Sequence, residues 1–297
     1  HASDEEANVI DTASVGASIE EAILKASILI PRDVEDALER ALRREETEVA
    51  RSQLRAILED VRIAREERRP ICQDTGIVSF YVTAGYDFPH TAGIVRRIER
   101  ALVGATTGIP LRPNTAHPLT GANPGDNTGP NMPMTDVRFA PGDGLTIDVL
   151  PKGGGSENQS FLFMLTPAEG IKGFRRRLVD HVQRASGKPC PPLVLGIGLG
   201  SPADLAMRLA KRALARPLGG HHAEKEIADL EATILEELNE LGVGPLGLGG
   251  KTTVLDVHVE YAYRHPASYP VALAVQCWAD RRARVTVTRD LDVRVEQ

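Results

Sequence analysis

The sequence predicts an α+β fold, with mixed or antiparallel sheets flanked by helices and a helical N-terminal segment. Three observations lead there. Apolar residues recur at helical spacing over the opening segment, short runs rich in β-branched and aromatic residues follow, and the two patterns then alternate irregularly. No repeat of roughly 20 to 50 residues is visible, which removes solenoids and propellers.

From Ile19 to about Glu67 the residues Ile23, Leu24, Ile28, Val34, Leu38, Leu42, Val49, Leu54, Ile57, Leu58 and Val61 recur among many Arg and Glu. This predicts two or three helices, with Pro31 at a turn. Ile77 to Ala84 (IVSFYVTA) reads as a strand, as does Leu145 to Leu150 (LTIDVL), with a helix at Ile94 to Val103 between them. A stretch rich in Pro, Asn and Gly runs from Ile109 to Pro133, and its turn-forming residues predict an ordered, irregular loop. Helices are expected at about Ala168 to Ala185, Pro202 to Ala215 and Ala223 to Leu241. Strands are expected at Leu193 to Ile197, Thr253 to Tyr261, Val271 to Val275 and Arg284 to Thr288.

With 297 residues, 42% of them apolar and 26% charged, the chain can bury a substantial core without covalent staples. A net charge of −6 argues against a protein that coats nucleic acid. The longest apolar stretches fall short of the ~20 residues that span a bilayer. His1-Ala2-Ser3-Asp4 has no basic region followed by an apolar one, so it suggests a tag scar or processing, and the expected compartment is the cytoplasm.

Two glycine-rich segments resemble nucleotide loops and miss. Gly196 to Asp204 (GIGLGSPAD) has Ser201 in the place of the third glycine of G-x-G-x-x-G, with no evident βαβ unit around it. Ser201 is expected there as helix N-cap, with Pro202 at the first position and Asp204 completing a capping box. Pro245 to Thr252 (PLGLGGKT) would be a phosphate cradle if position 245 were glycine, but proline has no N–H to offer. It reads as a tight turn entering a strand, with Lys251 available to an anion. Lys152 to Asn158 (KGGGSEN) ends a strand with three glycines, which let backbone approach a ligand or simply form a flexible turn. His221 and His222 read as residues at a helix start rather than metal ligands, because adjacent helical residues do not share a face.

Three cysteines, far apart in sequence, match neither a disulfide framework nor a compact zinc module. Cys72, Cys190 and Cys277 each sit at an element boundary among polar residues or prolines, which weakens the reading of a cysteine buried as a small hydrophobe. Three thiolates would leave one iron of a [4Fe-4S] cluster without a protein sulfur, free to act as a Lewis acid on a substrate hydroxyl and carboxylate.

The segments PICQDTG at 70–76, GDNTGPNMP at 125–133, PKGGGSEN at 151–158, KPCPP at 188–192 and RHPASYP at 264–270 together resemble the class I fumarase and L(+)-tartrate dehydratase family. They run across most of the chain in family order. The resemblance implies a hydro-lyase catalytic domain over 1–297, with its helical part at about 19–67. It also implies a [4Fe-4S] cluster on Cys72, Cys190 and Cys277, and reversible hydration of fumarate to L-malate. Gln73, Arg112 and Gly155 match substrate-side residues of that family, and Asp74 and His265 match residues expected as a polar pair near the iron. Single-chain members carry a further C-terminal domain with the proposed base, so this chain resembles an α subunit completed by a separate β subunit, or a truncated form. Association of α subunits, a small dicarboxylate substrate and no nucleic-acid or membrane partner complete the expectation. PKGGGSEN looks more like the fumarase stretch than the tartrate dehydratase one. Tartrate dehydratase and mesaconate hydratase are the near alternatives, and a non-catalytic iron-sulfur sensor or binding subunit is the distant one.

Overall fold

The computed structural model describes residues 2–297, with side chains from Ser14 onward, so His1 and the reading of the N-terminus as a scar begin outside the described residues. The chain divides into two compact units, His1–Pro31 with Val61–Lys152 and Arg281–Gln297, and Arg32–Asp60 with Gly153–Asp280. The helical opening is three helices: α1 (Ala2–Ile28), α2 (Arg32–Arg44) and α3 (Glu48–Glu67), with Pro31 between the first two. Asp33 and Glu35 in the first turn of α2, and Arg43 and Arg44 in its last, suit the helix dipole.

The first unit is a five-stranded mixed sheet in the order β2-β1-β3-β8-β9. Its strands are β1 (Ile77–Gly85), β2 (Thr135–Ala140), β3 (Leu145–Lys152), β8 (Ala283–Val287) and β9 (Val293–Glu296). β1 and β2 run parallel, joined across α4 (Ile94–Gly108), and the remaining pairs are antiparallel. Strand alternation puts Val78, Phe80 and Val82 on the same buried face as Ile147, Val149 and Val285. The helical stripes Ile19, Ile23, Ala26 and Ile98, Leu102, Ala105 close that core.

The second unit holds a four-stranded sheet in the order β4-β7-β5-β6. The strands are β4 (Phe161–Leu165), β5 (Leu193–Gly200), β6 (Val254–Ala262) and β7 (Tyr269–Gln276). The helical turn α5 (Gly154–Glu157) precedes them, and α6 (Gly170–Ala185), α7 (Ala203–Ala213) and α8 (Lys225–Asn239) complete the unit. Phe174, Leu178, Ile234 and Leu238 from the helices meet Leu195, Ile197, Val257 and Leu273 from the strands. The fold is α+β. No described helix is long and apolar enough to cross a membrane.

Several local expectations change. β5 and β6 pair in parallel around α7 and α8, so the Gly196 segment does lie in a βαβ unit. Its glycines are consumed by packing. A Cβ on Gly198 would stand 1.9 Å from the Ala206 carbonyl oxygen, and one on Gly196 2.0 Å from that of Ala210, because α7 lies directly on the strand. Ser201 is not the cap: α7 starts at Ala203 with no side-chain cap, Ser201 has φ 65, and its hydroxyl donates to the Pro202 carbonyl at 3.0 Å. Lys251 keeps an exposed ammonium, which pairs with the exposed Glu46, while its N–H meets the buried Glu45 carboxylate. His221 and His222 lie in the segment before α8, which begins at Lys225.

Gly198→Ala is expected to cost about 3 kcal/mol of stability, since a helix backbone rather than a flexible side chain must move aside. A thermal unfolding midpoint equal to that of the wild type would show that α7 is not seated as described.

Candidate active site

In the first unit, the segment that follows α3 carries Cys72, Gln73 and Asp74. The Ile71 N–H donates to the Ser27 carbonyl at 3.0 Å, which ties the segment to α1. Gly76 then takes φ +80, and a Cβ there would stand 2.7 Å from the Lys152 backbone, so only glycine lets the chain enter β1 beside Lys152. Asp74 Oδ1 accepts the Gly76 N–H at 2.9 Å and the Asn114 amide at 3.5 Å. Cys72 is half-buried, and its Sγ lies 3.7 Å from Gln73 Oε1. Behind this turn, Arg281 Nη2 donates to the Asp74 carbonyl at 3.2 Å.

The long loop from Ile109 is ordered by its own polar side chains. The Asn114 amide donates to the Gly76 carbonyl at 3.0 Å and to Thr75 Oγ1 at 3.3 Å, and the Arg112 N–H donates to Thr75 Oγ1 at 3.0 Å. Asn127, 4% exposed, accepts the Asn114 N–H at 2.7 Å and donates to the Arg112 carbonyl and to Thr106 Oγ1. Thr128 donates its hydroxyl and its N–H to Asp126 Oδ1, holding that carboxyl below the usual range. The backbone of Arg112 is thus fixed against the Asp74 turn. Its guanidinium is exposed and makes no hydrogen bond among the described residues, so it can take a carboxylate bidentately.

In the second unit, Cys190 precedes β5 and Cys277 follows β7. These strands are antiparallel, with Val194 opposite Gln276, so both thiols stand at one end of the sheet. The Trp278 N–H donates to the Cys190 carbonyl at 3.1 Å, and Cys190 itself takes φ 55. The glycine-rich turn read above as a failed phosphate cradle supports this loop: the Leu246 N–H donates to the Pro191 carbonyl at 2.7 Å. Gly155 lies in α5 with its Cβ direction 3.4 Å from the Lys188 carbonyl, and Ser156 Oγ is 3.5 Å from Gln276 Oε1. Gly155, Cys190 and Cys277 are therefore brought together.

His265 is not among them. It lies in the turn before β7, whereas Cys277 follows the far end of that strand, whose eight residues span roughly 26 Å. Its Nδ1 accepts the Ala267 N–H at 3.0 Å. The expected place of His265 beside an iron held by Cys190 and Cys277 is not met within one chain, because a full strand intervenes.

None of the three cysteines is joined in a disulfide. Among the described residues no group of three or more His, Cys, Asp or Glu is arranged to hold a metal ion. The thiol pair at the sheet end is a partial donor set whose chemistry fits an iron-sulfur group: two sulfurs on adjacent loops, one of them exposed. Thr75, Asn114, Asn127 and Arg281 were not singled out by sequence reasoning. Asn127 lies inside the quoted GDNTGPNMP run, and nothing in the sequence separates it from ordinary turn asparagines.

The family model described as Fumarate hydratase (Fumerase) matches residues 17–286. A Methanocaldococcus jannaschii protein, provisionally named L(+)-tartrate dehydratase subunit alpha, is 45% identical over 87% of this chain and 92% of its own length. The L(+)-tartrate dehydratase subunit alpha of Escherichia coli strain UTI89 is 34% identical over 89% of this chain and 88% of its own length. The protein of that name from Shigella sonnei is 33% identical over the same shares.

Asn127→Ala removes three hydrogen bonds and leaves the Asn114 N–H without its acceptor, at an expected cost of about 1–3 kcal/mol. Limited proteolysis should then cut first within 109–133. An unchanged cleavage pattern would show that Asn127 does not order the loop.

Proposed function

Because this chain belongs to the fumarate hydratase family, a family of hydro-lyases, we propose that it is the cluster-binding α subunit of a two-subunit hydro-lyase that interconverts fumarate and L-malate. The observation that carries this reading is the pair Cys190 and Cys277 on adjacent loops at one sheet end, joined by the Trp278 N–H. Cys72, on its own ordered turn, is the third ligand of the proposed [4Fe-4S] cluster. When bound, such a cluster supplies a Lewis-acidic iron with one position free of protein sulfur.

The chain's own residues bind and orient the substrate. Arg112, anchored through its backbone and free at its guanidinium, holds a carboxylate of the dicarboxylate. Gln73 offers a side-chain amide, and Gly155 offers backbone without a side chain in the way. Asp74 holds its carboxylate in a fixed turn where it can accept a proton or a hydroxyl hydrogen bond. His265, at the opposite end of β7 from Cys277, is given no role in this reading. The base that removes the carbon-bound proton is assigned to the β subunit, as is the completion of the site.

L(+)-tartrate is the second reading, favoured by the names of the relatives from Methanocaldococcus jannaschii and Escherichia coli. Against it stands PKGGGSEN at 151–158, which looks more like the fumarase stretch. Both substrates are 2-hydroxy dicarboxylates or give one on hydration, so the roles of Arg112 and Asp74 are common to both readings.

The reconstituted chain alone should be brown, with broad visible absorbance that Cys190→Ser abolishes, yet nearly inactive. Co-expression with a candidate β subunit, followed by anaerobic assay on malate, L-tartrate and methylfumarate, should give the highest turnover on malate. Robust turnover by the reconstituted chain without a partner would refute the two-subunit assignment. In the complex, Arg112→Ala should lower kcat/KM by roughly 10- to 100-fold, the loss of a charged hydrogen-bonding group.

A further inference from the structure

Of the two edges of the five-stranded sheet, one is closed and the other open. At β9 the Lys25 ammonium of α1 donates to the Val295 carbonyl, and the Gln297 amide turns back onto the Lys25 and Leu29 carbonyls. At β2 the ladder is one-sided. The Phe80 N–H donates to the Met134 carbonyl and the Tyr86 N–H to that of Ala140, so the parallel pairing with β1 uses the even-numbered residues of β2. Thr135, Val137 and Phe139 therefore turn N–H and C=O away from β1, and no other group among the described residues takes the backbone of Val137 or Phe139. Their side chains are 39% and 58% exposed, on the face that carries the buried Val82 and Ala84.

An open edge with apolar side chains is a template for another strand. The charges on β2 say which strand fits. Asp136 and Arg138 flank Val137 on the opposite face, with Arg138 Nε held on Thr83 Oγ1 at 2.9 Å. If β2 pairs antiparallel with a copy of itself about Val137, each Asp136 stands opposite the Arg138 of the other copy. Those are the narrow, non-hydrogen-bonded positions, where side chains approach most closely. The same register sets Val137 against Val137 and Phe139 against Thr135 at the hydrogen-bonded positions, where the outward N–H and C=O groups lie. A slip of two residues either way would put Asp136 against Asp136 or Arg138 against Arg138, so the charges select this register alone. We propose that β2 is the edge through which this chain pairs with a second copy of itself, in an isologous two-fold interface centred on Val137 that joins the two sheets into one.

The test is sedimentation velocity of the full chain over a concentration series. The wild type should pass from one copy to two as concentration rises. Val137→Pro should stay at one copy with an unchanged thermal midpoint, since the N–H it removes serves no bond within the chain and its ring obstructs a second strand. Arg138→Asp and Asp136→Arg each set like charges opposite and should self-associate roughly 10-fold more weakly. An equimolar mixture of those two variants should regain the two-copy species, as should the chain carrying both substitutions. A wild type of one copy at every concentration overturns the pairing and leaves the hydro-lyase reading untouched. Association that survives Val137→Pro places the interface elsewhere and overturns it too. Charge variants that associate like the wild type, or a mixture that fails to recover, overturn the register and with it the inference. If Val137→Pro does not fold, the mixture decides alone, because Arg138 is exposed and its substitution spares the β1 ladder. Association with a candidate β subunit alone, blocked by Val137→Pro, would give the edge to that chain instead.

Discussion

The side chain of Asn127 is the constraint on which the irregular half of the first unit depends. Its amide ties α4 at Thr106, the backbone of Arg112 and the backbone of Asn114 to one buried point. Asn114 extends the chain of bonds to Thr75 and Gly76, and so to the turn that presents Cys72 and Asp74. A loop of this length has no ladder of its own to satisfy its backbone, so buried amides and hydroxyls substitute for one. What looks like loose chain is held as firmly as a strand, and that fixity is what a site for a small, twice-charged molecule requires.

The second unit reaches the same end by regular means. Antiparallel pairing of β5 with β7 brings residues far apart in sequence to one sheet end, and the strand register decides which ones. The same register sends His265 to the other end. Gly196 and Gly198 let α7 sit against the strand backbone, and the glycine-rich turn at 244–249 buttresses the Cys190 loop from behind. Two segments that imitate nucleotide loops therefore serve the packing around a thiol pair.

Most of the architecture was legible from periodicity. The opening helices, α4 and α6 to α8, and the strands β1, β3 and β5 to β8 follow from apolar spacing, since their buried faces are continuous. The missed strands are short and lie at sheet edges. β2 leaves Val137 and Phe139 exposed and follows a run of prolines, β4 has five residues with Phe161 and Met164 outward, and β9 has four. β2 and β4 show no clean one-sided pattern, and β9 alternates Val293 and Val295 with Arg294 and Glu296 over too few residues to stand out. Ser201 failed as a cap because its left-handed backbone turns the hydroxyl toward the Pro202 carbonyl, a choice no local residue pattern announces. Arg281 was illegible for a different reason: as one member of an arginine doublet it reads as surface charge, and its burial becomes visible only in three dimensions.

The interleaving of the two units sets an order on biosynthesis. Ile19 and Ile23 of α1 share a core with Val285 and Val287 of β8, Lys25 donates to the Val295 carbonyl of β9, and Gln297 donates back to Lys25 and Leu29. At the ribosome's pace of ~5–20 residues per second, roughly 12 to 50 s separate the emergence of α1 from that of the strands that complete its sheet. The second unit, nearly continuous from Gly153 to Asp280, emerges within that interval. Until then α1 has only α4, β1 and β3 to pack against, and its sheet lacks β8 and β9. The turn of Cys72 waits as well, because Arg281, which holds the Asp74 carbonyl, is made 207 residues after it.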